Sequence, residues 1–442
     1  MSSSPTLART PTFDPVAVTG RPAVPLRIGF SWSFVGWVGY AGCQWFMLSI
    51  MAKLGNPVIV GQFAFALAVA APVFMLTNLQ LRGVQSTDAR NEYTFSDYVT
   101  LRVIGSAIAV CAILATILSL KLSLTAGLVV MLVAIFKALE SLGDVIAGLM
   151  QKFEMLDSAA IALLLRGGIG IGLFGVSFAL RRSLPIALLV WLCAAGAVIA
   201  SYDFSVARKL ATLEGGIRWR FDWQTLRTLT ITSLPLGFVS AIASLNTNIP
   251  RYTIERTLSV SDLGIFASVA YPVTAATITA NSLGQSALAR LSRLSVEGRI
   301  KEFKILVLKL VALGAGLGAV AVTAVLSCGH WLLSTIYTPE YAKHESLFAL
   351  LALTAGLNAI ACFLSYGLTA ARQFRVQLPI TLVCTLSTFI FSVILVPRFK
   401  LMGAASALLI SASVMITLAG TALWRVLAKA DVGTRKERCQ VI

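Results

Sequence analysis

Charge is scarce in this chain: only 12% of its 442 residues are Asp, Glu, Lys or Arg, against about 25% in an ordinary soluble domain. Acidic residues are the scarcer sign, 19 against 36 basic ones, and histidine occurs only twice, at His330 and His344. Neither histidine joins a Cys, His or carboxylate grouping, and no Ser/His/Asp arrangement, zinc motif or Gly-rich nucleotide loop is legible. The chain alone therefore gives no support to an enzyme or to an ATP-driven pump. Its seven cysteines, at 43, 111, 193, 328, 362, 384 and 439, lack paired spacing. They read as small packing residues rather than disulfides or metal ligands. Residues 1–27 have no apolar core of signal-peptide type, and their Pro, Ser and Thr content suits a disordered tail, so the first helix reads as an uncleaved anchor.

Apolar sequence is what the chain has instead. Hydrophobic residues make up 57% of it and the mean hydropathy is +0.84. One helical crossing of a bilayer core ~30 Å thick takes about 20 apolar residues. Uninterrupted runs of that length cover 28–52, 57–80, 98–120, 122–150, 158–180, 183–204, 227–249, 262–286, 304–335, 345–371, 376–396 and 401–426. The fold class expected is all-α, a polytopic membrane protein of about twelve helices, since a barrel would show short alternating segments.

With twelve crossings both termini lie on one side. Roughly three quarters of the 36 Lys and Arg then fall on that side, which the positive-inside rule makes the cytoplasm. Sorting by membrane side explains the net charge of +17, and nucleic-acid binding is set aside. The segments starting at Val58 and Ser261 share Gly61 with Gly264, Phe63 with Phe266 and Ala64 with Ala267. That similarity suggests two six-helix lobes related by a parallel duplication. The organisation expected is a disordered cytoplasmic tail 1–27, a lobe 28–204, a basic linker 205–226, a second lobe 227–426 and a basic tail 427–442. The linker's Gly215–Gly216 pair gives freedom of motion. Trp219, Phe221 and Trp223 beside Arg218 and Arg220 suit an interfacial position or an ordinary positive-inside loop.

Charges inside spans are costly and normally face a protein interior or a watery cavity. Lys137, Glu140, Asp144 and Gln151 recur at steps of three, four and seven residues, one helix face, and form a polar stripe. The next segment turns near Glu154 and carries Arg166 back inside, level with residue 142 and so within reach of Glu140 or Asp144. Two roles are open to Arg166: an ion pair holding the hairpin together, or a cavity group for an anionic ligand. Gly167, Gly168, Gly170 and Gly172 after it serve bending or packing. Arg82, Arg102, Lys309 and Arg251 sit near span ends, where snorkelling to headgroups competes with ligand contact, yet collectively they favour an anion. Asn246 and Asn248, with Ser240, Ser244 and Thr247, are open either to sugar hydroxyls or to one another.

Four stretches carry a family likeness. "GQFAFALAVAAPVFMLTNLQLRGVQSTDARNEYTFSDYVTLR" (61–102), "LESLGDVIAGLMQKFEMLDSAAIALLLRGG" (139–168), "LPLGFVSAIASLNTNIPRYTIERTLSVSDLGIFASVAY" (234–271) and "TPEYAKHESLFALL" (338–351) resemble Wzx-type polysaccharide flippases. These belong to the multidrug/oligosaccharidyl-lipid/polysaccharide exporter superfamily. The resemblance runs from about residue 28 to 425. It implies two six-helix lobes around a central cavity. It also implies alternating-access transport of polyprenyl-pyrophosphate-linked repeat units across a bacterial inner membrane for O-antigen, capsule or exopolysaccharide. Implied partners are that lipid-linked substrate, membrane lipids, a polymerase, a chain-length regulator and glycosyltransferases, with no cofactor beyond a coupling ion, H⁺ or Na⁺. By motif position, Arg82, Arg102, Arg166 and Arg251 are the contacts it carries over. A cation-coupled exporter of small molecules from the same superfamily would want unpaired intramembrane carboxylates. A membrane glycosyltransferase or polymerase would want a large outer loop, and the outer loops here are short.

Overall fold

The structure, a computed structural model, describes residues 26–88, 91–213 and 222–440. The tail expected over residues 1–25 and the linker features at 214–221 lie outside the described residues, as does any reading of 441–442. Twelve long helices follow one another: α1 Leu26–Leu54, α2 Pro57–Thr77, α3 Phe95–Ser119, α4 Leu124–Lys152, α5 Leu156–Arg181, α6 Leu184–Val198, α7 Trp223–Thr257, α8 Val260–Val296, α9 Ile300–Ile336, α10 Glu345–Ala370, then α11 (374–399) and α12 (401–440). Among the described residues eleven helical stretches are long and apolar enough to cross a membrane, and the last, Arg375–Ala428, has 54 residues. It breaks at Lys400, whose φ of 50° and ψ of −130° are not helical. The chain doubles back there, because a Cβ on Gly403 would lie 2.1 Å from the Leu395 carbonyl oxygen. Farther along, Ser411 Oγ donates to the Cys384 carbonyl at 3.1 Å. The two arms are α11 and α12, which makes twelve crossings.

Several helices outrun the runs read from sequence. α7 reaches Thr257 although Pro250 lies inside it, because a proline removes one N–H but does not end a helix whose flanks are packed. Arg251, expected to close this span, therefore lies within the helix about 9 Å from its end. α6 ends in a π turn, Ile199–Asp203, that leads into a helix Phe204–Leu213, so much of the expected linker is helical. At the other terminus, α12 continues through the expected basic tail to Gln440.

The repeat seen in sequence is the contact by which the halves cross. Asn56 Oδ1 accepts from Ile59 N to cap α2, and Ser259 Oγ accepts from Asp262 N to cap α8. One step on, a Cβ on Gly61 would meet the Val260 carbonyl oxygen at 1.8 Å and one on Gly264 the Pro57 oxygen at 1.9 Å. Gly61 touches the start of α8 as Gly264 touches the start of α2, a reciprocal contact that only glycine permits. Farther along, Tyr252 donates its hydroxyl to the Ala68 carbonyl, and Gln80 Nε2 donates to Ser240 Oγ at 2.7 Å.

Core packing differs at the two ends. At the end where α2 and α8 begin, one continuous apolar cluster takes in Met51, Phe63, Phe178 and Leu188 together with Phe266, Leu333, Tyr341 and Val396. Polar bonds reinforce it: Trp45 Nε1 donates to Tyr337 OH at 2.8 Å, and that hydroxyl donates to the Ser268 carbonyl at 2.8 Å. At the other end, which bears most of the basic loops, the core is divided. One cluster holds Leu81, Tyr98, Met150 and Leu229, and another holds Leu291, Phe303, Phe363 and Leu423. The two halves thus share one core at one end, whereas at the basic end the start of α7 packs with the first half and the rest of the second half forms a core of its own.

Candidate functional site

The α4 stripe is where the charges meet. A continuous helix from Leu124 to Lys152 puts Lys137, Glu140, Asp144 and Gln151 along one side. Glu140, Asp144 and Gln151 each find a partner from another element, while Lys137 pairs with Glu140 on α4 itself. Glu140 accepts from Tyr40 OH of α1 at 2.7 Å and from Lys137 Nζ at 2.6 Å. Asp144 takes two guanidinium groups, Arg82 Nη1 at 3.3 Å and Arg102 Nη2 at 3.4 Å. Arg82, on the short helix Leu81–Thr87, also donates to Gln151 Oε1 at 3.2 Å and lies over the Trp37 ring at 5.4 Å. Arg102 is completely buried two turns into α3, and its Nε and Nη1 have no hydrogen-bond partner among the described residues.

Arg166 lies where the hairpin geometry places it, with Nη1 2.2 Å from the position a Cβ on Gly143 would take. The absent side chain at 143 is what lets the guanidinium lie flat on α4. Its ion pair, however, is not with Glu140 or Asp144. Arg166 Nε lies 3.5 Å from Asp203 Oδ2 in the π turn after α6, and it donates to the Ala162 carbonyl at 3.3 Å. Neither carboxylate oxygen of Asp203 receives a hydrogen bond among the described residues, although the residue is only 1% exposed. The expected pairing across α4 and α5 is corrected on this point, because the spare carboxylates of α4 are already held by Tyr40, Lys137, Arg82 and Arg102. Tyr40, Glu140 and Arg166, with Phe136, Ala195 and Ile199, line a small pocket.

The remaining candidates lie elsewhere. Arg251 Nη1 donates to Asn248 Oδ1 at 3.1 Å, and Asn248 donates to the Ser244 carbonyl at 2.8 Å, all within α7. Asn246 Oδ1 accepts from Thr388 of α11 and, at 3.4 Å, from Ser411 of α12, so its amide is engaged in helix packing. Lys309 is exposed on α9, away from the stripe. A second polar run joins the halves near Arg251: Tyr271 OH of α8 donates to Gln44 Oε1 of α1 at 3.1 Å, one turn from Tyr40. Sequence reasoning missed Asp203, Tyr40 and the Gln44–Tyr271 pair. Asp203 had a signal, an acidic residue at the end of an apolar run, whereas Tyr40 and Gln44 had none.

No family model matches the chain. A relative 28% identical over 382 residues, covering 86% of this chain and 95% of its own length, is the capsular polysaccharide biosynthesis protein CapF of Staphylococcus aureus. Among solved structures, the lipid II flippase MurJ in an inward closed conformation superposes with a TM-score of 0.69 at 11% identity, over 92% of this chain and 90% of its own. A MOP superfamily transporter from Pyrococcus furiosus gives 0.63 at 14% identity, over 94% and 97%. The fold is therefore that of these solved structures, a flippase and a transporter: a multi-pass helical membrane protein. Within it, the sequence is similar to a capsular polysaccharide biosynthesis protein, in keeping with the likeness to polysaccharide flippases seen in residues 61–102, 139–168, 234–271 and 338–351.

Proposed function

We propose that this protein is a flippase that carries polyprenyl-pyrophosphate-linked oligosaccharide repeat units across the bacterial inner membrane by alternating access, for surface polysaccharide assembly. The observation that carries the reading is the wall formed by α4 and its neighbours. There Arg82, Arg102, Lys137 and Arg166 meet only Glu140, Asp144 and Asp203, leaving an excess cation inside an apolar protein. A pyrophosphate is the ligand such a wall fits, since guanidinium groups bind phosphate oxygens in pairs at fixed geometry. The wall lies in the half of the molecule where the two cores have parted, the side on which a substrate enters. By the positive-inside rule that side and both termini are cytoplasmic. The opposite end is then the gate to the outer leaflet.

An exporter of organic cations fits less well. Glu140, Asp144 and Asp203 each already lie against Lys or Arg, so a cationic substrate finds no free carboxylate there. Function is tested by deleting the gene and extracting lipids. The expected result is a polyprenyl-linked glycan accumulating on the cytoplasmic face, reversed by the intact gene. Normal surface polysaccharide in a strain with no second flippase contradicts the proposal.

A further inference from the structure

The parted end has a second wall, and it is made differently. α8 begins against the other half: Gly264 packs on α2, and Tyr271 bonds to Gln44 of α1. Continuing at ~100° per residue from Tyr271, positions 274, 281 and 285 stay within about 80° of it on the same face of α8. Those positions hold Thr274, Asn281 and Gln285, all exposed.

Exposure of this kind has two meanings in a membrane protein, and the rest of the chain shows how to tell them apart. On α9, the exposed large apolar side chains are Ile305, Leu308, Leu313, Val320, Leu326 and Trp331, groups suited to lipid tails. On α8, among the described side chains, the sole exposed large apolar one is Val296, at the helix end. A hydroxyl in a spanning helix can be satisfied by a carbonyl one turn back, as Thr274 is by that of Tyr271, but an exposed amide keeps donors and acceptors that hydrocarbon does not satisfy, so Asn281 and Gln285 face water. The α8 stripe therefore lines the cleft and looks toward the half that carries Arg166.

The stripe is also held in place. Cys362 Sγ of α10 donates to Asn281 Oδ1 at 3.3 Å, and Asn281 Nδ2 donates to the Thr277 carbonyl at 3.0 Å. Tyr366 of α10 packs on Gly284, where a Cβ would lie 2.2 Å from its ring, and hydrogen-bonds Gln285. No charged side chain interrupts α8 from Gly264 to Ala289, and α10 carries none after Glu345.

We infer that Thr274, Asn281 and Gln285 form a subsite for the uncharged sugar portion of the substrate, across the cleft from the cationic wall. This rests on the proposed transport of a lipid-linked oligosaccharide and assigns its two chemical parts to opposite walls. Neutral amides and hydroxyls exchange hydrogen bonds with sugar hydroxyls at little desolvation cost, while an unpaired charge there would bind water more strongly than sugar.

The test measures binding to the purified full chain of two probes: bare polyprenyl diphosphate, and the same lipid carrying a neutral trisaccharide. The wild type is expected to bind the glycosylated probe more tightly. Asn281→Ala and Gln285→Ala each weaken that probe about fivefold, the worth of one neutral hydrogen bond, and leave the bare lipid unchanged. Thr274→Val, which keeps the shape and touches neither Cys362 nor Tyr366, does the same and guards against a folding defect in the amide variants. Arg82→Ala weakens both probes. A wild type that binds both probes alike, or α8 variants that weaken both equally or neither, overturns the subsite alone. A wild type that binds neither probe overturns the transport proposal itself.

Discussion

The two halves of this molecule share a helical plan and differ in what they turn toward the cleft. In the first half, α4 presents Lys137, Glu140, Asp144 and Gln151, joined by Arg82, Arg102, Arg166 and Asp203 from four other elements. In the second, α10 occupies the equivalent place in chain order and carries no Lys, Arg, Asp or Glu between Ser346 and Ala370. The cluster of paired charges belongs to the first half, while the second half holds Arg251 within α7. The difference teaches that the lobes are not interchangeable walls: one gathers paired charges, the other neutral polar groups, some of them used in packing as Asn246 is between α7, α11 and α12.

The largest effect expected is from breaking the charged wall at its most buried pair. Arg166→Ala leaves Asp203, 1% exposed and without a hydrogen bond among the described residues, as an uncompensated charge, at a cost of about 3–5 kcal/mol. Thermal unfolding of the purified protein measures it. The double variant Arg166→Met with Asp203→Leu restores stability and not transport, which separates the cation's ligand role from its place in the fold. Transport restored along with stability would make the pair structural only.

Next comes the joint on which both walls hang. Gly61→Val drives a side chain into the Val260 carbonyl, and overpacking of this kind costs about 1–3 kcal/mol. Gly264→Val is expected to match it, because the contact is reciprocal. Unequal losses in unfolding temperature would show that the two halves do not meet symmetrically.

A smaller change is expected where the ends differ. Tyr337→Phe removes one bond to Trp45 and one to Ser268, about 1 kcal/mol each. Loosening the sealed end raises the labelling of a cysteine placed at Ser268 by an impermeant maleimide. Unchanged labelling would mean that the apolar cluster alone keeps that end shut. Smallest of all is Lys309→Ala on exposed α9, expected within about 0.5 kcal/mol in stability and near wild type in export, since this lysine stands apart from the charged wall.

Much of the fold is legible in the sequence because bilayer thickness turns apolar run length into helix count. The turn at Lys400 separates α11 from α12 within a residue or so of where the break in apolar sequence falls. The Gly61 and Gly264 match marks the crossing of α2 and α8. The seventh helix runs past the expected end at residue 249 to Thr257, because Pro250 inside a packed helix costs one hydrogen bond without ending it. At the candidate site, hairpin geometry placed Arg166 level with residue 142, one residue from Gly143, on which its guanidinium lies. Its partner did not follow from sequence. Asp203 is 37 positions away, and its carboxylate is positioned by a π turn that no residue pattern announces.

Translocation itself is the most direct measure of the account. Purified protein in liposomes, loaded with a polyprenyl diphosphate carrying a neutral trisaccharide, is followed by the fraction of glycan open to an enzyme acting on one leaflet. The prediction is transfer between leaflets by the wild type and none by the stable Arg166→Met, Asp203→Leu variant. Equal transfer by both, or none by the wild type, would contradict a cationic wall that carries the pyrophosphate.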